Sequence, residues 1–482
     1  MMMSNPKRIH PVGVILSFIS MVKSYIIPAI LFFYVGDNES IKLYLIIGVV
    51  TIVVLLVITS VLSWYKFTYW VEEGEFRIEH GVFVRKKRYI PIERIQTINV
   101  SAGIIQQLFR LVKVQIETAG GGVEAEALLT AISKTEAERI QQTLTNYKQQ
   151  QTVDLHNEEI QVEEKQVPTY KMSKKELLVA ASTSSGIGVI ISAIVAFLSQ
   201  IDEFIPYDFI FDQFDFLTSA SFTLYAILVC IGLFLAWIVS IIGVLLKYAY
   251  FTVRNVEDEL NISRGIFEKR QTSIPISRIQ AIRIVQNPIR QWLGYSTVYI
   301  ESAGGSIGDE NGSSTILFPV ILKKDVTKIL AEFIPGYPVM EETTKLPARS
   351  WKRYIIRKCL ITLIIITPVS FLLFPLGLLS LLLLIGGFYW GHASFKDAGL
   401  RIRENQLQIT YRFLSKTTVL LRKNRIQSMN QHTSLFQRKQ DLATLKVAIK
   451  SGIMGKSFFV KDLERTDAEE VVRWYSYSKT KG

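Results

Sequence analysis

The chain has 482 residues, of which 49% are hydrophobic, and it carries a formal net charge of +13 at pH 7. Its length allows about three domains of ordinary size, and a mean hydropathy of +0.27 is high for a soluble protein. Its two cysteines, Cys230 and Cys359, are too few for a disulfide framework or a cysteine-based zinc site.

The hydrophobic residues are concentrated in three blocks, at residues 12–64, 177–246 and 355–390. Each block is long enough for two spans of about 20 residues with a turn between them. The sequence therefore predicts six transmembrane helices in three hairpins, at residues 12–35, 43–64, 177–197, 222–246, 359–374 and 376–390. The last two spans are short, so a tightly turned or re-entrant third hairpin is a second interpretation.

The charges around these spans predict their orientation. The loop at residues 200–221 contains five Asp or Glu residues and no Lys or Arg, whereas the opposite ends of the spans carry Lys66, Lys247 and Lys352. Because positive residues near the spans are retained on the cytoplasmic side, both termini and the segments between the hairpins are predicted to be cytoplasmic.

Each hairpin is followed by a similar segment of short strands. In the first segment, alternating apolar residues predict strands at residues 67–71, 76–80 and 83–88, and again at 90–100, 112–118 and 127–132. A short amphipathic stretch lies at residues 104–109, and a helix begins near residue 134. The second and third segments repeat this order, which predicts a small antiparallel β-sandwich or barrel with a C-terminal helix.

One stretch recurs in each segment. Residues 91–121 (PIERIQTINVSAGIIQQLFRLVKVQIETAGG) and 275–305 (PISRIQAIRIVQNPIRQWLGYSTVYIESAGG) align without a gap and are identical at 14 of 31 positions. A divergent third copy begins at Arg425. Repeats of this length are whole structural units.

The signature P-[IL]-x-R-I-Q, followed by V-x-[IV]-E-[ST]-A-G-G and a closing helix, resembles the second type of bacterial pleckstrin-homology-like (PH-like) domain. The arrangement of two spans and one such domain, repeated along the chain, resembles the YdbT-like bacterial membrane proteins. The resemblance covers nearly the whole chain, although the third copy departs from the motif. It implies a fold and a location in the bacterial plasma membrane rather than a reaction.

The expected fold class is therefore an α+β membrane protein with three hairpins and three PH-like domains. The hairpins are predicted at residues 12–64, 177–246 and 355–390, and the PH-like domains at residues 65–150, 247–336 and 391–482. Polar linkers are predicted at residues 151–176 and 337–354.

Two groups of residues are candidate sites. Basic residues before each motif are candidates for binding anionic lipid or a partner, since such charges gain about 1 kcal/mol each beside anionic headgroups; the alternative is a charged edge strand that resists pairing. This group comprises Arg85, Lys86, Lys87, Arg88, Lys269, Arg270 and Lys416. Motif residues are predicted to be structural, with Glu117 and Glu301 as partners of the motif arginines. This second group comprises Arg94, Gln96, Glu117, Arg278, Gln280, Glu301, Arg425 and Gln427.

The sequence gives no support for catalysis, a cofactor or a metal. The five histidines are not spaced as ligands, the glycine pairs do not open a helix as phosphate loops do, and no nucleophile signature is present. A basic face with interleaved aromatic residues, as nucleic-acid binding requires, is also missing from the sequence.

Two functions are therefore expected. The first is a non-enzymatic membrane scaffold that presents the PH-like domains to membrane lipids and to another membrane protein. The alternative is a transport-linked or protective protein that confers resistance to membrane-active antimicrobial compounds. The sequence does not predict the oligomeric state.

Overall fold

The computed structural model describes residues 5–34, 39–118, 127–153, 167–184, 222–256, 258–302, 314–341, 343–372, 376–451 and 455–476. The acidic loop at residues 200–221 and most of the predicted span at residues 177–197 lie outside these ranges.

Within the described residues, three apolar helical segments are long enough to cross a bilayer, namely Ile47–Lys66, Cys230–Tyr248 and Gly377–Asp397. Each matches the second span of a predicted hairpin. Few of their residues are buried by the rest of the chain, as expected for side chains that face lipid. The membrane location is thus supported, whereas the full set of six spans remains a prediction.

The first module contains a short strand, two long helices, a three-stranded meander, the motif strand, a one-turn helix, two further strands and a closing helix. In chain order these are β1 (Lys7–Arg8), α1 (Val12–Tyr34), α2 (Glu39–Lys66), β2 (Thr68–Glu72), β3 (Glu75–His80), β4 (Lys86–Pro91), β5 (Ile95–Ala102), α3 (Ile104–Leu108), β6 (Leu111–Thr118), β7 (Ala127–Ser133) and α4 (Lys134–Val153).

The second module repeats this order. Its elements are β8 (Thr169–Lys171), α5 (Lys174–Ser182), α6 (Phe222–Tyr248), β9 (Thr252–Val256), β10 (Glu259–Arg264), β11 (Lys269–Pro275), β12 (Ile279–Gln286), α7 (Pro288–Trp292), β13 (Tyr295–Ser302), β14 (Ser314–Leu322) and α8 (Val326–Phe333).

The third module repeats it again, despite its divergent motif. Its elements are β15 (Thr344–Lys345), α9 (Trp351–Leu372), α10 (Leu383–Asp397), β16 (Gly399–Arg403), β17 (Gln406–Arg412), β18 (Lys416–Arg422), β19 (Ile426–His432), α11 (Leu435–Arg438), β20 (Leu442–Ile449), β21 (Lys456–Glu464) and α12 (Arg465–Ser476).

Each module has one hydrophobic core, enclosed by its two sheets and its closing helix. In the first module, Phe76 and Ile90 from one sheet meet Val114 and Leu129 from the other, and Leu144 of α4 covers them. Alternate residues of each strand point inward, because successive side chains of a strand lie on opposite faces. The predicted antiparallel β-fold with a C-terminal helix is therefore present in all three modules.

The sheets do not end at the module boundaries, a continuity that the sequence analysis did not predict. Strand β5 of the first module pairs with β11 of the second, which gives one seven-stranded sheet in the order β7-β6-β5-β11-β10-β9-β8. Strand β12 of the second module pairs with β18 of the third in a second seven-stranded sheet, β14-β13-β12-β18-β17-β16-β15. The three modules are thus joined in series by strand pairing.

Candidate functional site

The motif strands lie at the junctions between modules. Arg278 of the second module donates from Nη2 to the main-chain carbonyl of Glu93 in the first module, at 3.4 Å. Arg425 of the third module donates in the same way to the carbonyl of Ser277 in the second module, at 2.6 Å. Each arginine therefore contacts the residue that precedes the motif arginine of the module before it. Arg94, which has no preceding module, is exposed.

Among the described residues, Arg278 of the motif does not contact Glu301. Glu301 binds Arg283 instead, with Nε 2.9 Å from its carboxylate, and Glu117 accepts a hydrogen bond from Asn99 at the position that aligns with Arg283. The reason is the strand register, because Arg283 lies on β12 directly beside β13, which carries Glu301.

Glu301 also links the second module to the third. Lys456 of β21 places its Nζ 2.8 Å from the fully buried carboxylate, and Ser314 donates a hydrogen bond of 2.7 Å to it. Burial alone would raise the pKa of Glu301, but the charges of Arg283 and Lys456 outweigh it and lower that pKa. For Lys456, burial and the nearby Arg283 lower the pKa against the opposing effect of Glu301. The carboxylate is therefore held ionised between two cations.

The motif glutamines have no common role in the structure. Gln280 is buried and donates to the carbonyl of Arg278 at 3.0 Å, whereas Gln427 is exposed on β19. The side chain of Gln96 lies outside the described part of the chain.

The basic candidates occupy the same strand position in three different surroundings. In the first module Arg85 and Lys87 share the carboxylate of Glu79, while Lys86 and Arg88 are exposed on β4.

In the other modules the position lies at a junction. Lys269 is exposed and Arg270 is half-buried at the start of β11, beside β5. Lys416 begins β18, and its Nζ lies 2.8 Å from Asp397 at the end of α10, a carboxylate that Arg412 also binds. Basic side chains such as Lys86 and Lys269 are thus exposed in the first two modules, whereas Lys416 forms an ion pair with Asp397 in the third.

Exposed apolar side chains beside these basic positions were missed by the sequence analysis. The turn between the last two strands of each meander carries Phe83, Phe267 or Leu414, of which Phe83 is 92% exposed. We call these turns the tips. The signal was present, because an apolar pair precedes the basic position in all three copies, where a turn would ordinarily be polar.

Glycine shapes two of the tips. Gly81 has a φ of +113° and Gly265 a φ of +98°, and a Cβ on either would lie about 2 Å from a carbonyl oxygen three residues later. The third tip has Arg412 at this position, and its guanidinium binds Asp397. The first two tips therefore need glycine, whereas the third is held by an ion pair at the end of a span.

The one-turn helices α3, α7 and α11 add a second exposed apolar element. They carry Leu108, Trp292 and Phe436, which are 77%, 86% and 75% exposed. Across each junction a tip meets the one-turn helix of the preceding module: Gln107 donates to the carbonyl of Phe267 at 2.7 Å, and Arg412 binds Gln291. At each junction a tip therefore lies beside the one-turn helix of the preceding module, and we call the tips and the one-turn helices together the row.

This row lies at the ends of the membrane helices. The amide of Ile266 in the second tip donates to the carbonyl of Leu246 in α6, at 3.1 Å. Trp390 of α10 donates to the carbonyl of Phe413 in the third tip, and Arg353 of α9 donates to that of Phe436, at 2.9 Å. In the second and third modules, the row therefore lies on the side from which the spans emerge.

A buried carboxylate fixes the third hairpin to its module. Asp462 of β21 is fully buried and accepts hydrogen bonds from Nη2 of Arg357 at 2.5 Å and from Gln437 at 2.8 Å, and it forms an ion pair with Nε of Arg353 at 3.1 Å. Both arginines lie in the first turns of α9. No group of three or more metal-ligating side chains occurs within the described ranges.

Comparison with known proteins agrees with this architecture. The family model described as Bacterial PH domain matches residues 22–148, 193–334 and 361–479. The transmembrane protein YdbT of Bacillus subtilis (strain 168) is 46% identical over 493 aligned residues, which cover the whole of both chains. Three family matches that together cover most of the chain, and a full-length relative, identify the chain as a membrane protein that belongs to the bacterial PH domain family.

Proposed function

We propose that the protein is a non-enzymatic, multi-pass membrane scaffold whose three modules lie against the cytoplasmic face of the bacterial plasma membrane and bind anionic lipid and a partner membrane protein there. The observation that carries this proposal is the row of exposed apolar residues on the tips and one-turn helices. It recurs in all three modules and, in the second and third, contacts the membrane helices where they enter the module.

The charge distribution supports the cytoplasmic orientation. Lys66 and Lys247 lie in the last turns of α2 and α6, and Lys352 lies in the first turn of α9, all on the module side of the spans. The loop at residues 200–221, which follows the predicted first span of the second hairpin, is acidic. Positive residues on the module side favour a cytoplasmic location for the modules.

The energetics favour contact between the row and the inner leaflet. Full burial of a Leu or Phe side chain contributes about 1.5–3 kcal/mol, so partial insertion of three tips and three helices into the interface is favourable. Exposed basic residues such as Lys86 and Lys269 add about 1 kcal/mol each near anionic headgroups. Lys416 contributes less, because Asp397 already neutralises it.

The proposal is tested with a fluorophore on the full-length protein in lipid nanodiscs. Residues Leu414 and Glu404 are matched positions, because they lie just beyond the two ends of the seven-residue strand β17, which is about 23 Å long at 3.3 Å per residue. Each is changed to Cys in a Cys230→Ser, Cys359→Ser background and labelled. Quenching by doxyl-labelled lipid should be strong at position 414 and weak at position 404.

Lipid composition then separates apolar contact from charge recognition. Replacing phosphatidylcholine with one-third phosphatidylglycerol should increase quenching of a fluorophore at Phe83→Cys, beside the exposed Lys86 of the first module, and 0.5 M salt should reverse the increase. Equal quenching at positions 404 and 414 would contradict the proposed contact with the membrane. Strong quenching that changes with neither lipid charge nor salt would contradict anionic-lipid binding, but it would still support apolar contact with the membrane.

A further inference from the structure

The two junctions between modules follow one pairing rule. At the first junction Lys269 lies opposite Ala102, and at the second Lys416 lies opposite Gln286. In both pairs the first residue lies nine positions before the motif arginine of its own module. The second lies eight positions after the motif arginine of the preceding module. The register is therefore identical, although the paired sequences differ.

Contacts around the strands are repeated as well. At both junctions the motif arginine reaches the carbonyl of the residue before the preceding motif arginine. At both, the side chain of Gln107 or of its aligned residue Gln291 contacts the next module's tip. The junction is thus a repeated interface, with a leading surface (the tip, the strand before the motif and the motif arginine) and a trailing surface (the motif strand and the one-turn helix).

Each end of the chain keeps one half of this interface without its counterpart. In the first module, strand β4 has β3 as its only neighbour among the described residues, although the equivalent strands β11 and β18 are paired on both sides. In the third module, strand β19 has β20 as its only described neighbour, although the equivalent strands β5 and β12 are paired on both sides. As far as the described residues extend, the leading surface of module one and the trailing surface of module three therefore have no partner strand.

We infer that a second copy of this chain joins these ends, with β4 of one copy paired antiparallel to β19 of the next. The shared register places Lys87 opposite Gln431 and Tyr89 opposite Met429. It also places Arg94 within reach of the main-chain carbonyl of Asn424 in the other copy. The inference does not depend on which lipid or protein the modules bind.

The side chains of the two open strands are compatible with this pairing. Strand β4 is basic, but the paired strands β11 and β18 also begin with lysine, so a basic start does not prevent pairing. Strand β19, with the sequence IQSMNQH, contains no Lys or Arg that would repel it. An open edge strand is a template for another strand, and here the fitting strand is the other end of the same protein.

The membrane restricts the shape of the assembly. The interface is head-to-tail, so repeated use produces either a closed ring or an open array. Because every module is attached to helices in one bilayer, successive copies can rotate relative to one another only about the membrane normal. The assembly therefore stays in one plane, and a second copy needs no reorientation to dock.

The inference is tested by disulfide cross-linking of full-length chains in membranes. Two differently tagged chains, both lacking the native cysteines Cys230 and Cys359, are co-expressed, one with Lys87→Cys and the other with Gln431→Cys. Directly opposed residues bring their Cα atoms to about 4.5–5.5 Å, within disulfide range. The control pairs Lys87→Cys with Asn430→Cys, because a one-residue slip moves the side chain to the other face of the sheet.

We expect a cross-linked species that contains both tags, at least five-fold more abundant for the 87/431 pair than for the 87/430 control. A second pair in the same register, Tyr89→Cys with Met429→Cys, should reproduce it. Equal yields from the in-register and slipped pairs would overturn the inference. So would capture of a different protein by Lys87→Cys in place of the second copy.

Discussion

The buried carboxylate of Asp462 gives the sharpest test of how the third hairpin is held. The carboxylate forms ion pairs with two arginines at the start of α9, of which Arg357 also donates a hydrogen bond, and Asp462 itself has a left-handed backbone with a φ of +56°. Asn tolerates that backbone conformation and is close to Asp in shape, so Asp462→Asn removes the charge with little other change.

The expected loss follows from the geometry. Removing one partner of a buried ion pair costs about 3–5 kcal/mol when the other charge stays buried. Here the side chains of Arg353 and Arg357 are 21% and 34% exposed, so water partly replaces the lost carboxylate. We therefore expect a loss of about 2–3 kcal/mol for Asp462→Asn, and about 1 kcal/mol more for Asp462→Ala, which adds backbone strain.

Amide hydrogen exchange on the full-length protein measures this loss locally. A destabilisation of 2–3 kcal/mol corresponds to a roughly 30- to 150-fold increase in local opening of β21 and of the first turns of α9. Asp441→Asn is the matched control, because Asp441 is exposed and also has a left-handed backbone, with a φ of +50°. If both variants exchange within a factor of two of the wild-type protein, the proposal that the Asp462 carboxylate holds the third hairpin to its module is refuted.

Two further predictions concern a module junction and a helix contact. Because the folded protein lowers the pKa of Glu301 below 4.5, its stabilising effect should be complete above about pH 4.5 and be lost as the pH falls through the lowered value. Glu301→Gln should therefore reduce the fall in Tm between pH 5 and pH 3, and an unchanged fall would contradict this role of the carboxylate. In the third hairpin, a Cβ on Gly391 would lie 2.7 Å from Cα of Ile355, whereas a Cβ on Gly386 would meet nothing within 4 Å. Gly391→Ala should lower the Tm by several degrees and Gly386→Ala should not, and equal effects would contradict the close helix contact.

The local fold could be predicted from the sequence because its signals are local. Alternating apolar residues predict β17 and β20, and a 28-residue apolar helix such as α2 has no other stable environment than a membrane. The fusion of sheets across junctions could not be predicted. The hydrogen bonds between β5 and β11 join main-chain groups, which every residue type provides, so the side chains of these strands do not reveal the pairing.

The candidate sites, too, could be predicted only where their signals are local in the sequence. The recurring basic position was visible, but its ion pair in the third module was not, because Asp397 belongs to a different element at the end of α10. Likewise the partner of Glu301, Lys456, lies 155 residues further along the chain in another module. Single-sequence patterns detect repetition, whereas these contacts depend on how the repeats are stacked.

The common register of the two junctions bears on how such a chain can change in length. A chain that lost its middle repeat would bring β5 directly against β18, with Ala102 opposite Lys416, and the rule of pairing would still be met. Gain or loss of an internal repeat therefore preserves both junction chemistry and attachment to the membrane. Duplication can lengthen this protein one hairpin and one module at a time, without a new interface having to evolve.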